Sequence, residues 1–206
     1  MRKIILVAGM SDTLIYDETY DYIGVDHGAF VCMELGIPLV AAIGDFDSIS
    51  EEVYQQLVTY TNVEKLPAQK NETDSEEAIH YAMNLGYEEI ILYGGLGGRM
   101  DHELANLHLM IHRRLPITLM DRNNILKVLL PGEYTIQKEH KYLSFLALEE
   151  SCISETGVAY PLYEQKLVPS DIYSISNEFE GQEAHIILHY GRMLMMQSDD
   201  NECTGC

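Results

Sequence analysis

Up to residue 120 the sequence alternates short apolar runs with windows of helical periodicity, and few folds accommodate that alternation. The apolar runs cover residues 3–8, 22–25, 39–43, 89–93 and 117–120, and the helical windows lie near 29–35, 51–60, 75–85 and 103–113. Runs such as Leu39-Val-Ala-Ala-Ile43 are apolar throughout, as a strand covered on both faces requires. The pattern predicts an α/β domain with a mostly parallel sheet. Helix starts are signalled by two capping boxes, Ser48-x-x-Glu51 and Thr73-x-x-Glu76, and Gly86 stands where a helix-terminating glycine belongs. In the third helix Ala78, Ile79, Ala82 and Met83 form the expected sheet-facing stripe.

The pattern changes after residue 121. Runs of β-type residues at 125–130, 134–137, 141–148, 184–190 and 192–196 are punctuated by Pro131-Gly132 and Gly191, and residues 173–176 alternate. This region predicts a C-terminal all-β sandwich. The expected organisation is therefore an α/β domain over 1–120, a sandwich over 121–198 and a flexible tail over 199–206, with the boundary in the turn at 121–124. Met193, Met195 and Met196 are expected to fill the sandwich core. Four cysteines, Cys32, Cys152, Cys203 and Cys206, are too few and too scattered to form a disulfide framework.

Charge narrows the functional classes. With 33 acidic against 13 basic residues the net charge is -20, a surface that repels nucleic acid and anionic membranes. No apolar run approaches the roughly 18 residues of a membrane span. The apolar run that follows Met1-Arg2-Lys3 is too short for a signal peptide, so the expected location is the cytoplasm. A phosphorylated ligand on so acidic a protein calls for a neutralising divalent cation.

Candidate chemistry collects just after predicted strands. Asp45 and Asp47, in Gly44-Asp-Phe-Asp-Ser48, follow the run 39–43, and a locally extended segment would point both carboxylates the same way toward a cation. Asp26 follows the run 22–25, and Lys70, Thr73 and Asp74 precede a helix start able to hold an anion. The loop Gly94-Gly-Leu-Gly-Gly98-Arg99-Met-Asp101-His102 follows the run 89–93 and opens a helix. Gly94, Gly95, Gly97 and Gly98 permit close approach to a phosphate, and Arg99 can grip one bidentately. In open α/β sheets ligands bind at the carboxyl ends of strands, and Asp26, Asp45, Asp47, Asp74 and Asp101 each sit just after a predicted strand or at a helix start on that edge. Together they describe a polyacidic Mg²⁺ site facing a phosphate cradle. His102, His108 and His112 are expected to be exposed helix residues.

At these residues the chain resembles the thiamine pyrophosphokinase family. The matching stretches are Val25-Asp-His-Gly-Ala29, Gly44-Asp-Phe-Asp-Ser48, Lys70-x-x-Thr73-Asp74-x-Glu76-x-Ala78, Gly94-Gly-Leu-Gly-Gly-Arg-Met-Asp-His-x-x-Ala-Asn106 and Ile175-Ser-Asn-Glu-Phe179. The resemblance implies a nucleotide- and Mg²⁺-binding α/β domain, and a sandwich that binds thiamine and mediates dimerisation. It implies transfer of pyrophosphate from ATP, the co-substrate, to the thiamine hydroxyl with release of AMP. It also implies a homodimer with a shared active site. By position, Asp45, Asp47, Asp74 and Asp101 would surround metal and phosphates. Asp26, Lys70, Thr73, Gly94, Gly95, Gly97, Gly98 and Arg99 would bind ATP, and Ser176 and Asn177 would lie near thiamine. Arg99 and Lys70 would stabilise the leaving AMP, with Asp74 or Asp101 as proton acceptor. The chain has no tryptophan, so an aromatic contact to thiamine falls to tyrosine or phenylalanine. Two other functions use the same residues: a metal-dependent nucleotide or phosphate-ester hydrolase, and a non-catalytic nucleotide- or thiamine-binding module.

Overall fold

Each apolar run before residue 121 becomes a strand in the computed structural model, which describes residues 1–9, 14–47, 49–67, 69 and 71–200. The chain forms two units, Met1–Arg122 and a second that begins at Asn123. In the first, the elements run β1 (Lys3–Val7), β2 (Asp21–Val25), α1 (His27–Glu34), β3 (Ala41–Gly44), α2 (Glu51–Tyr60), β4 (Val63–Lys65), α3 (Asp74–Asn84), β5 (Glu89–Tyr93), α4 (Met100–Ile111) and β6 (Ile117–Met120). All strand pairs are parallel, in the order β6-β5-β1-β2-β3-β4. Central strands have no wet face: Ile4, Leu6, Ile23, Ala41, Ala42 and Leu92 are wholly buried.

Two helices, α2 and α3, begin at a side-chain cap, and the start of α2 differs from expectation. For α2 the cap is Ser50, whose hydroxyl accepts from Val53 N–H (3.4 Å), while Ser48 lies outside the described residues. For α3 the Thr73 hydroxyl accepts from Glu76 N–H (3.1 Å) as expected. Glu76 itself turns inward, where its buried carboxylate pairs with Arg113 Nη2 at 3.1 Å. Ala78, Ile79 and Ala82 are fully buried, but Met83 is 39 % exposed, so the sheet-facing stripe is narrower than the apolar pattern. The short edge strand β4, Val-Glu-Lys, was not signalled because it has no apolar run.

The second unit is a sandwich of β7 (Asn124–Leu129), β8 (Gly132–Gln137), β9 (Tyr142–Ala147), β10 (Ser151–Thr156), β11 (Leu162–Leu167), β12 (Asn177–Glu178), β13 (Glu183–Tyr190) and β14 (Met193–Ser198). One antiparallel layer runs β12-β9-β14-β7 and the other β11-β10-β13-β8. Phe145, Leu143, Ile153, Ile186, Leu188, Met193 and Met195 interdigitate between the layers. Alternation along β14 puts Met193 and Met195 in this core and turns Met196 to the other face, half-buried, contrary to its expected core role. Residues 173–176 form no strand. Ser174 bonds both ways with the Phe145 backbone instead, its hydroxyl donating to the carbonyl and its carbonyl accepting the N–H. Asp199 and Asp200, expected in a flexible tail, are held: the Asp199 carboxylate meets His140 Nδ1 and Lys141 N–H (both 2.7 Å), and Asp200 meets Lys141 Nζ at 3.3 Å. Cys203 and Cys206 lie outside the described residues, while Cys32 and Cys152 are buried free thiols.

Candidate active site

Strand order reverses beside β1. The chain moves outward through β2, β3 and β4, and α3 then returns it to β5 on the other side of β1. Crevices for ligands open at the carboxyl ends of strands at such a reversal. A cleft of about 530 Å³ lies there. Its walls are Ala8 and Gly9 after β1, Asp26 and His27 after β2, residues 73–75 at the start of α3, and Gly94, Gly95, Gly97 and Gly98 after β5. Arg99, Asp101, His102, Glu103 and Asn106 of the α4 entry complete it.

Asp26 sits at the floor because its neighbours lack side chains. A Cβ on Gly28 would stand 1.8 Å from the Val7 carbonyl oxygen, and one on Gly24 2.3 Å from Ala29 Cα, so α1 packs directly on β1 and β2. Asp26 itself adopts φ 48° and ψ -118°, a costly conformation for a non-glycine residue, pinned by its N–H donating to the Ile43 carbonyl at 2.8 Å. Burial raises the pKa of its carboxyl, and the charges of Asp74, Asp45 and Asp47 raise it further.

Asp45 and Asp47 are not displayed by an extended segment, as expected, but by a turn. Phe46 takes φ 53° and is buried between Phe30 and Tyr54, and the Asp45 carboxylate accepts the Asp47 N–H at 3.2 Å. The inward ring thus anchors a loop whose flanking carboxylates face outward. Neither lines the cleft itself, yet both act on Asp26 within it.

The glycine loop is shaped by positive φ at Gly94, Gly97 and Gly98 (76°, 72° and 99°). It is braced from below by the buried Asn106, whose Nδ2 donates to the Gly95 carbonyl at 2.8 Å. Arg99, at the N-cap of α4, makes a bidentate pair with Asp101 (Nε–Oδ1 3.1 Å, Nη2–Oδ2 2.6 Å). The pair holds the Asp101 carboxyl below its ordinary pKa and raises that of Arg99. An anionic substrate arriving at this helix N-terminus would meet backbone N–H groups, the helix dipole and a guanidinium able to turn toward it.

The remaining expectations divide. Thr73 lines the cleft, with its hydroxyl oxygen accepting the α3 cap bond, and Lys70 lies outside the described residues. Exposed His102, His108 and His112 are as expected, although His102 borders the cleft and the other two rings stack at 4.2 Å. His27, Ser75 and Glu103 were not singled out, since a residue bordering a helix start has no signature of its own. Asn106 had one, an amide on the apolar face of α4 beside Leu109 and Met110. In the second unit Ser176 is exposed at φ 58°, its N–H bonded to Ser144 Oγ (2.9 Å), while Asn177 is buried.

The carboxylates suit a divalent cation without forming a cage for one. Among the described residues no three histidine, cysteine or acidic side chains are grouped closely enough to hold a metal alone. Mutual repulsion at Asp26 marks a site that a cation would relieve. Mg²⁺ is ordinarily held by one or two carboxylates, substrate phosphates and water, and this donor set fits that arrangement.

Comparison with known proteins agrees with this geometry. Residues 14–119 match the family model described as "Thiamin pyrophosphokinase, catalytic domain", and residues 133–192 match "Thiamin pyrophosphokinase, vitamin B1 binding domain". Thiamine pyrophosphokinase of Bacillus subtilis (strain 168) is 32 % identical over 214 residues, covering 97 % of this chain and all of the relative. The crystal structure of a thiamin pyrophosphokinase family protein from Enterococcus faecalis superposes with a TM-score of 0.86 at 32 % identity, covering 97 % of this chain and 100 % of that one. The B. subtilis crystal structure gives 0.85 at 31 % identity, with the same coverage. In sequence along nearly its whole length, and in fold, the chain belongs to the thiamine pyrophosphokinase family.

Proposed function

We propose that this chain transfers the pyrophosphoryl group of Mg²⁺-ATP to the hydroxyl of thiamine, giving thiamine diphosphate and AMP. The observation that carries the reading is the convergence, at the strand-order reversal, of Asp26, Asp74 and Asp101 with the glycine loop of a family whose name states that reaction. In the transfer the thiamine oxygen bonds to the β-phosphorus of ATP, the bridge to the α-phosphorus breaks, and AMP leaves with the bridging oxygen.

The chain's own residues position and neutralise. The 94–98 loop and the α4 N-terminus receive phosphate oxygens, and Arg99 exchanges Asp101 for charge developing on AMP. Asp74 or Asp101, both at the cleft, would take the hydroxyl proton. Asp45, Asp47, Asp74 and Asp101 would hold the metal. Bound Mg²⁺ supplies charge neutralisation and alignment of the phosphates. Thr73 contributes through the α3 N-terminus it caps, and Lys70 through its position in the family motif. Ser176 and Asn177 of the sandwich lie near thiamine, and in a homodimer the sandwich of one subunit completes the α/β site of the other. The enzyme works in the cytoplasm, where ATP is supplied.

The rival reading, a phosphohydrolase, uses the same carboxylates to activate water. Following AMP release with and without thiamine separates the two. Transfer predicts AMP only when thiamine is present, and equal release in its absence would overturn the reading.

A further inference from the structure

In the second unit the surroundings of Glu155 do not favour its polar side chain. Glu155 lies on β10, one alternation from the core residue Ile153, and is only 2 % exposed. Its cross-strand partner on β13 is Ile186, also in the core. One carboxyl oxygen, Oε1, has no hydrogen-bond partner among the described residues, while the carboxyl accepts from the Asn177 amide. Burial pushes its pKa up to about 7. A leucine of similar volume would suit this position better for stability alone, because burying an under-bonded carboxyl is costly.

Asn177 explains what the carboxyl reaches. Its Oδ1 accepts from the N–H of Tyr160 (3.0 Å) and of Glu178 (3.1 Å), and its Nδ2 donates to the Tyr160 carbonyl (3.0 Å) and to Glu155. A side-chain amide has two donors and two acceptor sites, so all four are used within the sandwich. The bonds Ala159 N–H to Glu178 O (2.9 Å) and Glu180 N–H to Gly157 O (3.0 Å) continue the same seam. Immediately before it stands Ser176, exposed and in the left-handed region.

We propose that Glu155 is a positioning residue of the thiamine site: acting through Asn177, it locks the 157–160 turn to the 177–180 segment and so presents Ser176 in a fixed conformation. Asn177 on this account serves thiamine through the backbone it holds, not through its amide. The inference rests on the reading that the Ser176–Asn177 segment faces thiamine.

The test compares Glu155→Leu, Glu155→Gln and Ser176→Ala in the full-length enzyme by KM for each substrate, kcat, thermal unfolding and hydrogen exchange. Glu155→Leu should fold with undiminished Tm, raise KM for thiamine by roughly tenfold and leave KM for ATP unchanged, the signature of lost orientation. The amides of Tyr160 and Glu178 should exchange faster. Glu155→Gln, which still accepts from Asn177, should restore wild-type KM. Glu155→Met is the second apolar replacement should leucine not be accommodated. An apolar variant with wild-type KM for thiamine, one that raises both KM values alike, or failure of Gln to rescue overturns the proposal. If Ser176→Ala raises KM for thiamine while the Glu155 variants do not, this inference alone fails. If neither does, the placement of the segment at thiamine fails with it.

Discussion

Asp26 combines a left-handed backbone, partial burial and three acidic neighbours, each of which costs stability and none of which the α/β core requires. Asp26→Asn removes the half-buried charge at nearly constant shape. In Mg²⁺-free buffer at neutral pH it should therefore raise the thermal midpoint, while lowering turnover on the order of 10²–10³-fold. Parallel thermal-melt and activity measurements check both signs, and a loss of stability would contradict the repulsion argument. Glu155 makes a pH-dependent prediction. Its folded-state pKa of about 7 exceeds the ordinary value of 4.5, so folding favours the protonated form. The cost is absent below pH 4.5, grows between 4.5 and about 7 as only the unfolded state loses its proton, and is complete above 7. Glu155→Gln should accordingly stabilise the protein above pH 7 by up to about 3 kcal/mol, with the gain vanishing toward pH 4.5 in denaturant titrations.

At the level of elements, tight contact of α1 with β1 and β2 places Asp26 at the cleft floor. Gly28→Ala puts a methyl carbon 1.8 Å from the Val7 carbonyl oxygen, a backbone clash that no rotamer relieves. It should destabilise by roughly 3 kcal/mol or more and lower Tm by about 10 °C. A wild-type melting curve would contradict that packing. The same elements explain what the sequence reveals. Strands β1, β2, β3, β5 and β6 are legible because burial on both faces demands apolar runs, and acidic residues after such runs fall at the ligand edge of a parallel sheet. The edge strand β4 is polar, and β10 and β11 mix Ser, Glu, Gln and Lys with apolar residues, so none forms a readable run. Asp45 and Asp47 were recognisable as a pair, but the turn that displays them depends on the tertiary burial of Phe46 against Phe30 and Tyr54. Local sequence favours Ser48 as the α2 cap, because Glu51 stands three residues after it, whereas Ser50 has Val53 at that spacing and caps the helix all the same.

For the whole molecule, the cleft proposed for phosphate chemistry lies in the first unit and the Ser176 segment in the second, which gives the proposed shared site an observable consequence. Mixing Asp47→Asn subunits with Ser176→Arg subunits, each nearly inactive alone, should restore about a quarter of wild-type activity, because half the dimers are mixed and each has one intact site. Confirmed exchange without recovery would contradict sharing between subunits. The most direct test of the central claim, that the carboxylate-lined cleft performs pyrophosphoryl transfer, is to identify the products from ATP labelled in both its β- and γ-phosphates, incubated with Mg²⁺, thiamine and the purified protein. The account predicts unlabelled AMP and doubly labelled thiamine diphosphate in a one-to-one ratio, with neither formed when thiamine or Mg²⁺ is omitted. Label released as free phosphate or pyrophosphate, with thiamine left unmodified, would contradict it.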